Sequence, residues 1–262
     1  EPPKTDRPQS VRGIWTEIKA TLNHKSWLML FFSGVVFAVF VGLTSGLGFY
    51  FNSFFWDWKP SDVAIFAIVD LMAAMSISAL AGPLAKRFDK KNLAVTLFIL
   101  SIIIGPVLLI LRLIDINFGT TLLPPNGEQY GPLWWVMLIH SLIAASVAVL
   151  AWILVGSMTA DVVEDSQTKT GRRAEGLFFA GPNLIQKSVS GIGLMIKGIL
   201  LSVVGFSASS SQADKMIAIE QLAIAIVLIS IVLPSLALYL FSKYEITKTL
   251  HDTNLKSLRY SE

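Results

Sequence analysis

No cysteine occurs in the 262 residues, which excludes disulfide bonds, thiol catalysis and cysteine-ligated metal. Charge is scarce as well. Asp, Glu, Lys and Arg make up 15% of the chain, against roughly 25% in a soluble domain. No nucleotide-binding glycine pattern or low-complexity tract punctuates it, and no HExxH, paired acids or Ser/His/Asp cluster falls inside an apolar run. An enzyme, a protein-bound metal and an organic cofactor are therefore not expected. Hydrophobic residues, at 53%, take the place of the missing charge, and that balance describes a membrane protein. The net charge of +3 is read through its positions in loops, and nucleic acid is not an expected partner. The chain opens EPPKTDRPQS, without an initiator methionine or a signal-peptide pattern. That opening suggests a segment of something longer.

Residues 1–26 read as a linker ending in a short amphipathic helix at a membrane surface. Five apolar runs follow that reach the roughly 20 residues needed to span a bilayer: 27–51, 63–85, 93–113, 133–158 and 216–241. A sixth run, 177–206, is interrupted by Lys187 and Lys197. The expectation is an all-α membrane protein with a six-helix bundle over 27–242 and a tail over 243–262. Sixteen of the 21 lysines and arginines fall in the N-terminal segment, the turn after the second span, the segment after the fourth and the tail. By the positive-inside rule both termini are cytoplasmic. Trp27, Trp56, Trp58, Trp134 and Trp135 fall at helix ends, as an interfacial aromatic belt requires.

Charged residues within the spans carry the functional reading. Lys187 lies roughly 16 Å along its helix from Gly176, at 1.5 Å per residue. A cation at that depth is expensive and by default faces an interior or a water-filled cavity. Asn183, four residues earlier, shares its face, and the amide and ammonium together suit sugar hydroxyls or a carboxylate. Trp152 is either a packing residue or a stacking platform for a sugar ring. Lys197 is placed to snorkel, and His140 reads as a satisfied buried imidazole. Asp70 either pairs with Lys187, lines a cavity or sits near the interface. Arg112 and Asp115 read as an ion pair at a helix end.

The segment 161–175 reads as a charged loop, with acids Asp161, Glu164, Asp165 and Glu175 set among Lys169, Arg172 and Arg173. It is either a solvated connection or an ion-pair latch that forms in one conformation and breaks in another. The basic turn GPLAKRFDKK, with Lys86 and Arg87, is its expected companion.

The run ADVVEDSQTKTGRRAEGLFF…IQK resembles the corresponding stretch in the second half of the glycoside–pentoside–hexuronide:cation symporters, the melibiose permease family of the major facilitator superfamily. GPLAKRFDKK resembles that superfamily's turn between the second and third helices of each half. The resemblance implies the C-terminal six-helix half of a twelve-helix transporter, with substrate held between the halves. It implies a sugar or glycoside substrate and a bacterial inner-membrane location. Lys187, Asn183 and Trp152 would line the sugar cavity, with threonine the family's residue at the position of Asn183. The coupling cation, sodium or proton, would be held by acids of the N-terminal half, which with the bilayer is an expected partner. Two other readings stay open: a lipid or organic-anion transporter of the same fold, and a stand-alone six-helix channel or scaffold.

Overall fold

His24 begins the first long helix. Its ring accepts a hydrogen bond from the Trp27 N–H, 3.2 Å away, satisfying one of the donors that a helix start leaves free. In the computed structural model the described residues are 15, 18–19, 21–126, 129–171, 175–206 and 211–258, excluding the side chains of 182, 184–186 and 190. Six long helices follow in order: α1 (Lys25–Thr44), α2 (Pro60–Arg87), α3 (Lys90–Phe118), α4 (Pro132–Thr170), α5 (Glu175–Val203) and α6 (Gln212–Ser242). A shorter α7 (Lys248–Ser257) forms the tail. No strand occurs among the described residues.

Capping chemistry sets several boundaries. Asp89 accepts from the Asn92 N–H to open α3, and Ser211 from the Asp214 N–H to open α6. Proline stands at the first turn of α2 and of α4, where its missing N–H costs nothing. Gly119 and Gly171 close α3 and α4 with φ of 65° and 68°, a left-handed conformation that favours glycine.

Among the described residues, five helical segments are long and apolar enough to cross a membrane: Lys25–Phe55, which contains α1, and α2, α3, α4 and α6. The sixth expected span corresponds to α5. It has the length, 29 residues, but Lys187 and Lys197 interrupt its apolar run.

α1 packs along α5 and α6, α4 packs along α2 and α3, and α3 packs on α6. Exchanging α1 with α4, α2 with α5 and α3 with α6 leaves this pattern unchanged. Because the exchange shifts each helix by three, partners run in opposite directions through the bundle. This is the signature of two inverted three-helix repeats.

α1 and α5 meet through small residues. A Cβ added to Gly193 would lie 2.7 Å from the Gly42 backbone, so the two chains touch directly. Just beyond, α1 breaks. Gly46 takes φ 75°, and a one-turn helix (Leu47–Tyr50) and a π-helical turn (Phe51–Phe55) carry the chain onward. Lys197 Nζ donates to the Ser45 carbonyl at 3.2 Å. It thus caps the end of α1, where the helix dipole favours a cation.

Two expectations need correction here. Residues 161–170 are not part of a loop, because α4 remains helical through Thr170. Charged residues such as Glu and Lys are good helix formers, and the falling hydropathy marks the end of the apolar run, not of the helix. The tryptophans are not mainly a belt: Trp27, Trp56, Trp58 and Trp134 are buried, whereas Trp135 is exposed. Each buried indole has a specific neighbour for its ring or N–H, such as Arg112 over Trp56 and the Asp62 carbonyl for Trp134 Nε1 at 2.6 Å. Arg112 and Asp115 do form the expected ion pair, at 4.0 Å, and each has closer partners in the connection after α3. Asp115 accepts from the N–H groups of Leu122 and Leu123 at 2.7 and 2.9 Å, and Arg112 donates to the Pro124 carbonyl at 2.6 Å.

Candidate functional site

Trp152 stands on α4 facing α1, its ring 5.4 Å from that of Phe37 in an edge-to-face contact. The indole is 42% exposed and borders a cavity of about 330 Å³. That volume matches small-molecule sites, which begin near 300 Å³. α1, α3, α4 and α6 wall the cavity, and its polar groups include Thr44, Ser101 and Ser230.

Lys187 and Asn183 are not among the residues lining this cavity. α5 turns Phe178, Gly181 and Gly193 toward α1: the Phe178 carbonyl accepts from Trp27 Nε1 at 3.3 Å, and Gly181 abuts the Trp27 ring. Nine residues after Phe178, at 100° each, Lys187 lies on the opposite face of the helix. Both Lys187 and Asn183 are exposed there. The structure therefore separates Trp152 from the other two expected substrate residues. Asp70 does not meet Lys187 either, since it accepts a hydrogen bond from Ser141 on α4 at 2.5 Å. His140 hydrogen-bonds the Ile104 carbonyl at 2.8 Å.

The second grouping lies at the charged end of α4. Asp161, Glu164 and Asp165 occupy one helical face by their three- and four-residue spacing. Lys90, at the start of α3, donates to both oxygens of Asp161 at 2.7 and 2.9 Å. His251 of α7 places Nδ1 3.4 Å from Asp161 Oδ1 and 3.1 Å from Glu164 Oε2. Asp165, itself buried, gathers His24 Nε2 at 2.8 Å, Lys169 Nζ at 2.7 Å and Asn254 Nδ2 at 3.1 Å. Because His24 Nδ1 accepts from Trp27, the proton sits on Nε2, which donates to Asp165.

The tail is held at further points. Lys248 Nζ donates to the Lys86 carbonyl at 2.9 Å, and the Lys248 N–H to Asp89 at 3.2 Å. The buried Tyr244 hydroxyl donates to the Met158 carbonyl at 3.2 Å. Burial pushes the Tyr244 phenol up, and the carboxylates of Asp161, Asp165, Asp89 and Glu164 add to the rise. Lys25 pairs with Glu245, and this hydrogen bond holds the Glu245 carboxyl below its usual range.

Of the expected gating residues, Asp161, Glu164, Asp165 and Lys169 come together in this cluster. Glu175 lies in the first turn of α5, and Arg172 and Arg173 lie outside the described residues. In the basic turn it is Lys90 that reaches an acid. Lys86 offers its carbonyl, and the Arg87 guanidinium lies over the Phe88 ring. His24, His251, Asn254 and Tyr244 were missed because they come from chain ends that composition marks only as polar.

Comparison with curated proteins finds no match. Residues 1–248 match the family model described as MFS/sugar transport protein, and the chain belongs to this family of the major facilitator superfamily.

Proposed function

We infer that the chain is one six-helix half of a cation-coupled sugar or glycoside symporter that works by alternating access. The observation that carries this reading is the cavity beside Trp152, walled by four helices, in a chain of a sugar-transport family. An indole face is a good platform for a sugar ring. A second six-helix half would cover the exposed face of α5, giving Lys187 and Asn183 a polar surrounding that lipid does not supply. That half would also hold the coupling sodium or proton. The melibiose permease-like branch fits the residues around Asp161 and Lys187. In this reading the inner membrane is the location, and both termini face the cytoplasm by their basic residues. The cluster on Asp161 and Asp165 is then a latch on the cytoplasmic side, closed in the state described above.

The test is uptake of labelled glycosides by vesicles carrying this chain joined to its N-terminal half, with and without sodium or proton gradients. Gradient-driven uptake that falls by about tenfold in Trp152→Ala, equivalent to about 1.4 kcal/mol of binding, supports the reading. Uptake indifferent to both gradients removes the coupling, and uptake unchanged by the substitution removes Trp152 from the site.

The cavity itself favours one alternative cargo. Its walls include Phe37, Phe40, Ile102 and Leu109 with few polar groups, a lining suited to an amphiphile. Competition of glycoside uptake by single-chain amphiphiles separates the two cargoes.

A further inference from the structure

Asp161 and Glu164 lie one helical turn apart on α4, and His251 reaches them from α7. One oxygen of each carboxylate and His251 Nδ1 all fall within 4.8 Å of one another. The imidazole nitrogen is 3.4 Å from Asp161 and 3.1 Å from Glu164. Ligands at about 2.1 Å from a common ion stand about 3.0 Å apart in an octahedron and about 3.4 Å apart in a tetrahedron. The two spacings to the imidazole are those of ligands sharing one ion. Asp161 is buried, and Glu164 and His251 are largely so, so the three groups converge away from bulk water.

We propose that Asp161, Glu164 and His251 form a divalent transition-metal site that fastens the tail helix α7 to the end of α4. One imidazole with two carboxylates suits manganese, cobalt or zinc, whereas calcium and magnesium favour oxygen alone. A neighbouring cavity of about 390 Å³, bordered by Asp161 and His251, gives an ion a way in and room for water ligands. Lys90 is the built-in rival, since its ammonium lies 2.7 Å from the Asp161 oxygen that also faces His251. Metal and ammonium compete for that oxygen, so binding displaces Lys90 from it.

This competition gives the site a signature that an adventitious surface site lacks. The full chain, purified in detergent and stripped of metal, is titrated with cobalt(II) and zinc(II) while visible absorption and heat are recorded. One ion per chain is expected. His251→Ala and Asp161→Asn should each weaken binding by about tenfold or more. Lys90→Met removes a like charge beside the ion and should strengthen binding by about tenfold. Helical circular dichroism confirms that each variant is folded. Absence of binding by the native chain overturns the site, as does binding that survives His251→Ala. Unchanged affinity in a folded Lys90→Met overturns the placement at Asp161.

Discussion

Tyr244 shows how one side chain ties the tail to the bundle. Its hydroxyl donates to the Met158 carbonyl from a fully buried position, and its phenol resists ionisation through burial and four nearby carboxylates. With a raised folded pKa, its contribution to stability is complete below the unfolded value, near 10. It is lost as pH rises above that value, because only the unfolded chain then ionises this tyrosine. We expect Tyr244→Phe to cost about 1 kcal/mol at neutral pH, the worth of one hydrogen bond. Between about pH 8 and pH 11, the melting temperature should fall more for the native protein than for Tyr244→Phe. Parallel declines in thermal scans of the two proteins would contradict the assignment. Lys197 makes a related point. Sequence marks it as a cation able to snorkel, but its observed role depends on α1 breaking at Gly46, 151 residues away in number and adjacent in space.

At the scale of elements, α1 and α5 cross in direct backbone contact at Gly42 and Gly193. Gly193→Ala places a methyl against the Gly42 backbone at 2.7 Å, and the helices must separate to admit it. A loss of about 1–3 kcal/mol, typical of overpacking, is expected in detergent melts. Gly198→Ala on the same helix meets nothing within 4 Å and should be neutral or slightly stabilising, because alanine favours helix over glycine by about 1 kcal/mol. Equal effects of the two substitutions would refute the close contact.

The apolar runs located these helices well, because bilayer crossing imposes a length and a composition that sequence displays directly. The end of α4 was not legible in the same way. Hydropathy falls after Met158, yet Asp161, Glu164 and Lys169 extend the helix for more than two further turns. The basic turn was legible as a group and not as individuals: Lys90 has the reach to Asp161, and composition does not separate it from Lys86 or Arg87. For the expected cavity, Trp152 could be placed by its span, whereas the facing of Lys187 depends on which side of α5 packs against α1. That side is set by Gly193 and Gly181.

For the whole molecule, coverage is uneven. α2 buries little beyond Ala73 and Ala81, and the face of α5 carrying Lys187 is open. The exchange pattern between the repeats makes these two helices counterparts, so both uncovered surfaces follow from one arrangement. The lack of cysteine makes the difference between a wet and a lipid-facing surface directly measurable. On the proposed transporter reading, a single cysteine at Lys187 or Asn183 should react with a membrane-impermeant thiol reagent. One at Leu228, exposed on α6, should not, because lipid excludes the reagent. Labelling at Leu228 alone would place the aqueous path elsewhere.

The unbroken length of α4 links the two groupings mechanically. Its 39 residues extend about 58 Å, nearly twice the roughly 30 Å hydrocarbon thickness of a bilayer. Trp152 at the cavity and Asp165 in the charged cluster ride on the same rod, about 20 Å apart along its axis. A tilt of about 10° pivoting near Trp152 swings Asp165 sideways by about 3 Å, as far as a hydrogen bond is long. His24, Lys169 and Asn254 respond differently. Lys169 travels with the rod, and Asn254 follows with α7, which His251 holds to α4, so the strained contact is the one to His24 at the start of α1. On the proposed transport reading, the helix would act as a lever that couples a small adjustment at the cavity to the hold on His24.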